Sequence, residues 1–325
     1  NYGRGDDPNR PEYNFVREVD YCSGAALLVR RDLFRRLGGF DEEFRPAYYE
    51  DTDLCFSIRE LEHRVTYQPK SVIIHFEGIT CGTSEASSLK KYQEINRFKF
   101  YEKWKDVLTE RHHDPDPANL FQARTQMCGK RILIIDHYVP EFDRDSGSCR
   151  MYNILRILAA CGERVTFVGD NLMKTEPYTE ILQQLGIEVI YAPYVTSVDE
   201  FLFQNGKYFD MVLLSRAHVA AKHILSVRKH CPKAKVVFDT VDLHHIRELR
   251  RAKIEGDSST FEAAERLKRL EFDLARMSDT TLVVSPVERE IMLKEDPSLK
   301  VDVLPNIHET VPVSYTHLRA HETGR

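Results

Sequence analysis

Three carboxylates stand at the start of a predicted helix, in the run Glu50-Asp51-Thr52-Asp53. The free backbone N–H groups and the dipole at a helix start favour negative charge there. Taken alone, the run is therefore typical of helix capping. A positioned carboxylate is also a group that can take a proton from a substrate hydroxyl in general base catalysis.

A second polar group opens a later predicted helix. Ser146, Gly147 and Ser148 place hydroxyls and backbone N–H groups at its first turn. Such a turn suits a phosphate or a sugar oxygen, and it suits simple capping equally well. Both interpretations stay open at this point.

Four further polar residues follow apolar strands. Arg216 and His218 come after one strand, and Asp242 and His244 come after the next. Ligands bind beyond the carboxyl ends of parallel strands, so we expect these side chains to line one cleft with Ser146 and Gly147. Two other histidines are predicted to be polar surface residues: His137 and His245.

These residues belong to a regular alternation of strand and helix from residue 130 onward. Short apolar runs predict strands over 132–135, 165–168, 187–191, 211–214, 236–238, 281–284 and 301–304. Helices are predicted over 148–161, 178–185, 219–229, 261–277 and 287–293. Strands that are apolar throughout are typical of sheets buried on both faces. The pattern predicts an α/β fold with a doubly wound parallel sheet.

The earlier part of the chain mixes short strands and helices. Strands are predicted over 25–30 and 71–75, and helices over 31–37, 51–61 and 89–108. The last helix takes its predicted apolar side from five residues: Tyr92, Ile95, Phe98, Trp104 and Leu108. Residues 109–129 have the composition of a linker. We therefore predict domains over 1–108 and 130–312.

Composition excludes several classes of protein. The 325 residues suggest two domains, 42% are hydrophobic and 30% charged, and no apolar run is long enough for a membrane-spanning helix. A net charge of −5 without a basic cluster argues against nucleic acid as a partner. Seven cysteines without a C-x-x-C pair indicate reduced thiols in the cytoplasm rather than disulfides or a zinc site.

The acidic run belongs to an ordered series of short motifs. Cys22-Ser-Gly-Ala25, Arg30, Gly38-Gly-Phe-Asp41, the run 49–55, Gln68-Pro69, His75 and Gly78 follow one another. The series, over about residues 18–84, resembles the C-terminal half of family 2 glycosyltransferases, which have the GT-A fold.

The resemblance implies a role for each matching residue. Asp51 is expected to be the base that takes the acceptor hydroxyl proton, and Glu50 to orient the acceptor or the base. Asp53 is expected to cap the helix. Two residues, Ser23 and Gly24, are expected to line the substrate cleft. His75 matches a position near a divalent metal, Mn²⁺ or Mg²⁺. The family's nucleotide-binding half, with its Asp-x-Asp metal motif, would lie upstream of residue 1.

The later part has a resemblance of its own. The loop Asp136 to Ser148 contains one glycine and no G-x-G-x-x-G, which argues against a nicotinamide or flavin enzyme. The loop, the run 238–244 and Leu304-Pro-Asn306 resemble the N-terminal domain of family 4 glycosyltransferases, which have the GT-B fold. The family's donor-binding domain would follow Asn306.

Together the two resemblances imply a fragment of a tandem bacterial glycosyltransferase of cell-surface polysaccharide synthesis. Its substrates would be a nucleotide-sugar and a glycan or lipid-linked acceptor, and it would work in the cytoplasm, peripherally at the inner membrane. The fragment itself is expected to be inactive. Residues 313–325 resemble a translated sequencing adapter and are expected to be a non-native tail. A non-catalytic scaffold that binds glycan or a partner is the alternative.

Overall fold

A seven-stranded parallel sheet dominates the fold. The computed structural model describes residues 3, 5–74, 86–113, 116, 120–124, 129–255 and 258–307. The sheet strands are β3 (Arg131–Asp136), β4 (Arg164–Gly169), β5 (Glu188–Ile190), β6 (Met211–Ser215), β7 (Lys235–Asp239), β8 (Thr280–Val283) and β9 (Val301–Val303). They lie in the order β5-β4-β3-β6-β7-β8-β9. This mixed α/β arrangement is consistent with a Rossmann-like fold.

Every strand predicted from the apolar runs after residue 130 is confirmed. The side chains of β3 alternate between two cores, because successive residues of a strand point to opposite faces. Leu133 and Ile135 pack into one core, whereas Ile132 and Ile134 pack into the other. Both faces are therefore covered, which explains why these strands carry apolar residues throughout.

Helices cover the two faces of the sheet. They are α5 (Ser146–Ala160), α6 (Tyr178–Gln184), α7 (Val198–Asn205), α8 (Ala217–His230), α9 (His244–Glu255), α10 (Ser258–Arg276) and α11 (Pro286–Glu295). Five were predicted, and α7 and α9 were not. Among the helices of the described ranges, none is long and apolar enough to cross a membrane.

The strand order reverses next to β3, and this reversal creates a crevice. Ile134 of β3 pairs with Phe167 of β4 on one side and with Leu213 of β6 on the other. The chain runs outward from β3 through β4 to β5, and then returns to β6 on the opposite side. The loops after β3 and β6 consequently diverge, leaving room for a ligand at the carboxyl edge between them.

The earlier part of the chain is built on helices. They are α1 (Arg31–Arg36), α2 (Glu50–Glu60) and α3 (Ala86–Arg111), beside a two-stranded antiparallel pair, β1 (Arg17–Glu18) and β2 (Thr66–Tyr67). A short α4 (Leu120–Ala123) follows α3. The three helices agree with the sequence prediction, with α1 ended by two glycines of positive φ, Gly38 and Gly39.

The two strands predicted in this part are wrong over the described residues. A 3₁₀ helix (Gly24–Ala26) opens the segment 25–30, and residues 71–74 form no strand. Apolar side chains of both segments are open to solvent, with Leu28 99%, Val72 81% and Ile74 80% exposed. An apolar run becomes a buried strand only beside a neighbouring strand, and no described strand pairs with either segment.

Helix α3 buries a different face from the predicted one. Trp104 is buried as expected, but Ile95 and Phe98 are exposed. The buried residues are Asn96, Phe100 and Trp104, which follow one another at intervals of four and so share one side of the helix. A polar residue on that side concealed the pattern in the sequence.

Residues 7–16 cover the outer edge of the large sheet. Phe15 is fully buried, and the guanidinium of Arg164 at the start of β4 lies 4.2 Å from the centre of its ring. The Val16 N–H donates to the Gln183 carbonyl (2.9 Å), and the Tyr191 hydroxyl donates to the Asn9 carbonyl (3.0 Å). The early segment is thus fastened to α6 and to the strand edge at β5.

Candidate functional site

The first candidate site joins two separated pieces of the motif series. The Gly24 N–H donates to Asp51 Oδ2 at 2.7 Å, across 27 residues of sequence. Asp51 Oδ1 accepts from the Thr52 N–H at 2.7 Å. A Cβ at Gly24 would lie 3.2 Å from Asp51 Cβ, so only glycine lets the backbone approach this closely without displacement. Ser23 lies beside this contact, where its hydroxyl accepts from the Ala25 N–H.

Helix α3 holds the loop that leads into Asp51. The buried Asn96 amide donates to the carbonyls of Phe44 (2.6 Å) and Ala47 (2.8 Å). The loop then passes through Tyr48 and Tyr49, which have φ of 77° and 73°. A non-glycine residue in the left-handed region is strained and persists only where its surroundings hold it. The hydrogen bonds from Asn96 hold the loop in this conformation. This role of Asn96 was not predicted from the sequence.

The other two acids of the run face different surroundings. Asp53 is 3% exposed and accepts from the Trp104 indole N–H (2.7 Å) and from the Lys103 ammonium (2.8 Å). It was predicted to cap the helix; instead it ties α2 to α3. Glu50 Oε2 is buried without a hydrogen-bond partner among the described residues. A buried acceptor of this kind is costly unless another group meets it.

The second candidate site lies at the carboxyl edge, where the strand order reverses. Arg216 follows β6 with φ of 73°, and its Nε donates to Asp136 at the end of β3 (2.9 Å). A Cβ at Gly147 would lie 3.0 Å from Arg216 Nη2, so the guanidinium reaches the first turn of α5. Ser146 opens that turn and is exposed. The cap is Asp145, which accepts from the Ser148 N–H at 2.8 Å.

Burial and neighbouring charges shift the pKa values of Asp136 and Arg216 in this crevice. Burial raises the pKa of Asp136, and the opposing charge of Arg216 only partly offsets this effect. Burial opposes the charge on Arg216, but the carboxylates of Asp136 and Asp145 outweigh it and raise the pKa of the guanidinium. Arg216 is therefore cationic at any physiological pH, with its Nη atoms directed at the start of a helix.

Two histidines meet beside the guanidinium. His218 Nε2 lies 3.2 Å from His137 Nδ1, so one of the two rings donates to the other. Burial lowers the pKa of His218, and its electrostatic interactions with His137, Arg216 and His244 lower it further. His137, predicted to be an isolated surface residue, is exposed but belongs to this cleft.

The residues after β7 complete the edge. His244 Nε2 lies 2.6 Å from Asp242 Oδ1. Burial opposes ionisation of Asp242, but His244, Arg247 and Arg216 outweigh it and lower the pKa of the carboxyl. Ser215 at the end of β6 pairs with Asp239 at the end of β7, so the segments 216–218 and 242–244 leave the sheet at the same edge.

The next histidine corrects a prediction. His245 was expected on the surface, yet it is 2% exposed and its Nδ1 pairs with Glu271 Oε2 on α10. The other Glu271 oxygen accepts from the His244 N–H at 2.8 Å. Glu271 therefore holds the start of α9 at the cleft. Nothing in the local sequence around residue 244 indicates a partner 27 residues away.

A buried ion pair lies beneath this edge. Arg150 of α5 and Asp239 of β7 are 1% and 0% exposed, and Arg150 Nη1 donates to Asp239 Oδ2. Arg150 Nη2 also donates to the Leu304 carbonyl (3.1 Å). One turn along the helix, Asn153 Nδ2 donates to the Ile307 carbonyl (2.9 Å). Helix α5 is thereby tied both to β7 and to the segment that follows β9.

The described part of the chain contains no set of side chains arranged to bind a divalent metal. There, no group of three or more histidine, cysteine, aspartate or glutamate side chains is arranged to hold an ion. His75, the residue expected near a metal, lies outside the described residues. The described residues around Asp51 therefore do not form a metal site by themselves.

Comparison with known proteins adds short matches only. No protein-family model matches the chain. The N-acetylglucosaminyl-diphospho-decaprenol L-rhamnosyltransferase of Mycobacterium tuberculosis (strain CDC 1551 / Oshkosh) is 35% identical over 78 residues, which is 24% of this chain and 25% of the relative. The pre-mycofactocin glycosyltransferase of the same strain is 37% identical over 57 residues, 18% of this chain and 12% of the relative. Rhamnosyltransferase WbbL of Escherichia coli (strain K12) is 40% identical over 58 residues, 18% of this chain and 22% of the relative.

All three are glycosyltransferases by name. The chain spans a quarter or less of the length of each relative, and the similarity supports a transferase class over part of the chain.

Proposed function

We propose that the chain is part of a glycosyltransferase that moves a sugar from a nucleotide-sugar to a glycan or lipid-linked acceptor. The observation that carries the proposal is the hydrogen bond between the Gly24 N–H and Asp51, because it joins two motifs of the series into one site. The names of the partial relatives support the same class of reaction. The setting in cell-surface polysaccharide synthesis, in the cytoplasm at the inner membrane, is part of this proposal.

In the proposed reaction Asp51 is the base. Its carboxylate takes the proton of the acceptor hydroxyl while that oxygen attacks the anomeric carbon, and the bond to the donor diphosphate breaks with inversion. The two backbone N–H bonds hold the carboxylate in one orientation. Oδ1 also accepts from the Thr52 hydroxyl (3.2 Å), so Oδ2 is the oxygen proposed to take the incoming proton. Glu50, with one buried oxygen free of partners among the described residues, is proposed to bind an acceptor hydroxyl.

The crevice beside Arg216 has a different proposed role. Arg216 and the first turn of α5 at Ser146 and Gly147 combine a fixed cation with backbone N–H groups. Such a combination binds phosphate or sugar oxygens. We propose that His218, Asp242 and His244 contact the same ligand, a phosphorylated or sugar-bearing substrate of a second transfer unit.

A transfer assay tests the first site. Labelled sugar transfer from a set of nucleotide-sugars is measured for the longest natural reading frame that contains this chain, beside the Asp51→Asn variant. We expect the variant to lose roughly 10²–10⁴-fold in rate while its affinity for the nucleotide-sugar stays within a few-fold. The matched control is Asp32→Asn, which changes an exposed acid paired with the exposed Arg30.

Three outcomes separate the alternatives. Transfer by Asp51→Asn at the wild-type rate would remove Asp51 from the role of base. An equal loss in Asp32→Asn would show that the effect is not local to the site. Glycan binding without any transfer, unchanged in both variants, would favour the non-catalytic scaffold.

A further inference from the structure

A separate cavity of about 320 Å³ lies between α2, α3 and the segment 37–42 that follows α1. Its lining includes Gly39, Phe40, Asp41, Asp53, Ser57 and Lys103. Asp51 and Asp53 are two residues apart on α2, which turns them to nearly opposite sides of the helix. The cavity is therefore not the site formed by Asp51 and Gly24.

One ammonium in the cavity lining is shared by two carboxylates. Lys103 Nζ lies 2.8 Å from Asp41 Oδ2 and 2.8 Å from Asp53 Oδ1. The ammonium already occupies the position between the two carboxylates that a bound metal ion would need. Asp41 and Asp53 therefore do not form a metal site. A third acid, Glu42, also lines the cavity, which gives the lining three carboxylates against one ammonium and a formal charge of −2. Phosphate or carboxylate ligands are disfavoured there.

Other residues of the lining supply an aromatic ring and a hydroxyl group. Phe40 is 47% exposed, and its ring packs edge-on against Phe34 at 5.4 Å, which fixes its orientation. Ser57 lies one helical turn after Asp53 and so shares its side of α2. Carboxylate oxygens accept hydrogen bonds, and the serine hydroxyl and the ammonium donate them.

We propose that this cavity binds one neutral sugar unit of a glycan. A pyranose presents an apolar C–H face, which suits the Phe40 ring, and a rim of hydroxyls, each able to donate and accept as the lining requires. The volume lies at the low end for ligand pockets, in keeping with a single sugar unit. This inference is independent of the proposed transfer reaction, because binding here needs no turnover.

Ligand-observed saturation-transfer NMR on the full chain tests the proposal, with methyl α-D-glucopyranoside as the neutral probe. We expect saturable binding with Kd on the order of 1 mM, as suits so small a ligand. Glucuronate at pH 7 should bind at least several-fold more weakly, because the charged side chains of the lining have a net negative charge. Phe40→Ala should abolish the signal and Ser57→Ala should weaken binding several-fold.

The control is Phe98→Ala, which removes an aromatic residue that is 66% exposed on α3. This variant should bind like the wild type, and circular dichroism of all variants should be unchanged. The proposal is overturned if Phe40→Ala keeps the wild-type signal, if Phe98→Ala loses as much, or if glucuronate binds equally well. Because Asp51 does not line the cavity, Asp51→Asn should bind the probe normally, which separates this result from the transfer experiment.

Discussion

Replacing Arg150 by Met should be the most destabilising single change at the carboxyl edge. Arg150 and Asp239 are 1% and 0% exposed, so the substitution leaves an unpaired carboxylate in the interior. The other hydrogen bond to this carboxylate comes from the Val241 N–H at 3.4 Å and is too long to compensate. Removing one partner of a buried ion pair costs about 3–5 kcal/mol of unfolding free energy. The melting temperature should fall by roughly 6–20 °C.

Urea denaturation followed by circular dichroism measures this loss. The double variant Arg150→Met with Asp239→Asn removes the stranded charge together with its partner, so it should recover at least half of the loss. Arg30→Met is the matched control, because its pair with Asp32 is exposed and should be worth under about 1 kcal/mol. If Arg150→Met costs less than about 1 kcal/mol, or the double variant is no better than the single one, the argument from the buried charge fails.

Three further predictions concern charge and reactivity. Arg216→Met should weaken binding of inorganic pyrophosphate by about 10–100-fold in isothermal titration, because a charge-assisted hydrogen bond is lost; unchanged binding would place the anion elsewhere. The pKa of His218 is lowered in the folded protein, so the unfolded chain takes up its proton first, and the free energy of unfolding should fall as the pH drops below about 6.5. His218→Gln should reduce this pH dependence in urea titrations from pH 7.5 to 5, and equal slopes would contradict the assignment. Burial raises the pKa of the Cys231 thiol to about 12, so maleimide at pH 7.5 should label the exposed Cys161 and leave Cys231 unmodified until the protein unfolds, as read by peptide mass mapping.

The large sheet could be predicted from sequence because its signal is local. Most strands from β3 to β8 contain a short apolar run, and a run buried on both faces can be recognised without information about its neighbours. The segments 25–30 and 71–74 carry the same signal, but their burial depends on pairing with other strands. Their exposure shows that an apolar run identifies a potential strand and not a sheet.

The residues of the candidate sites also differ in whether a local sequence signal marks them. Strand ends and motif order led to the prediction that Arg216, His218, Asp51 and Gly24 are site residues. The residues that hold them were not foreseen, because they act from distant positions: Asn96 across about 50 residues and Glu271 across 27. A buried polar residue on a helix face has no local signature, since its partner is chosen by tertiary packing.

The contacts of α5 with the segment after β9 bear on how the molecule forms. Arg150 and Asn153 reach the carbonyls of Leu304 and Ile307, each across 154 residues. Contacts between residues so far apart in the sequence form late in folding, because the chain between them must be ordered first. During synthesis α5 leaves the ribosome before Leu304 and Ile307 have been added to the chain. The buried Arg150 guanidinium therefore cannot complete its contacts until β7 and the residues after β9 are present. The contacts of the first helix that packs on the sheet are therefore completed only by residues that follow β9.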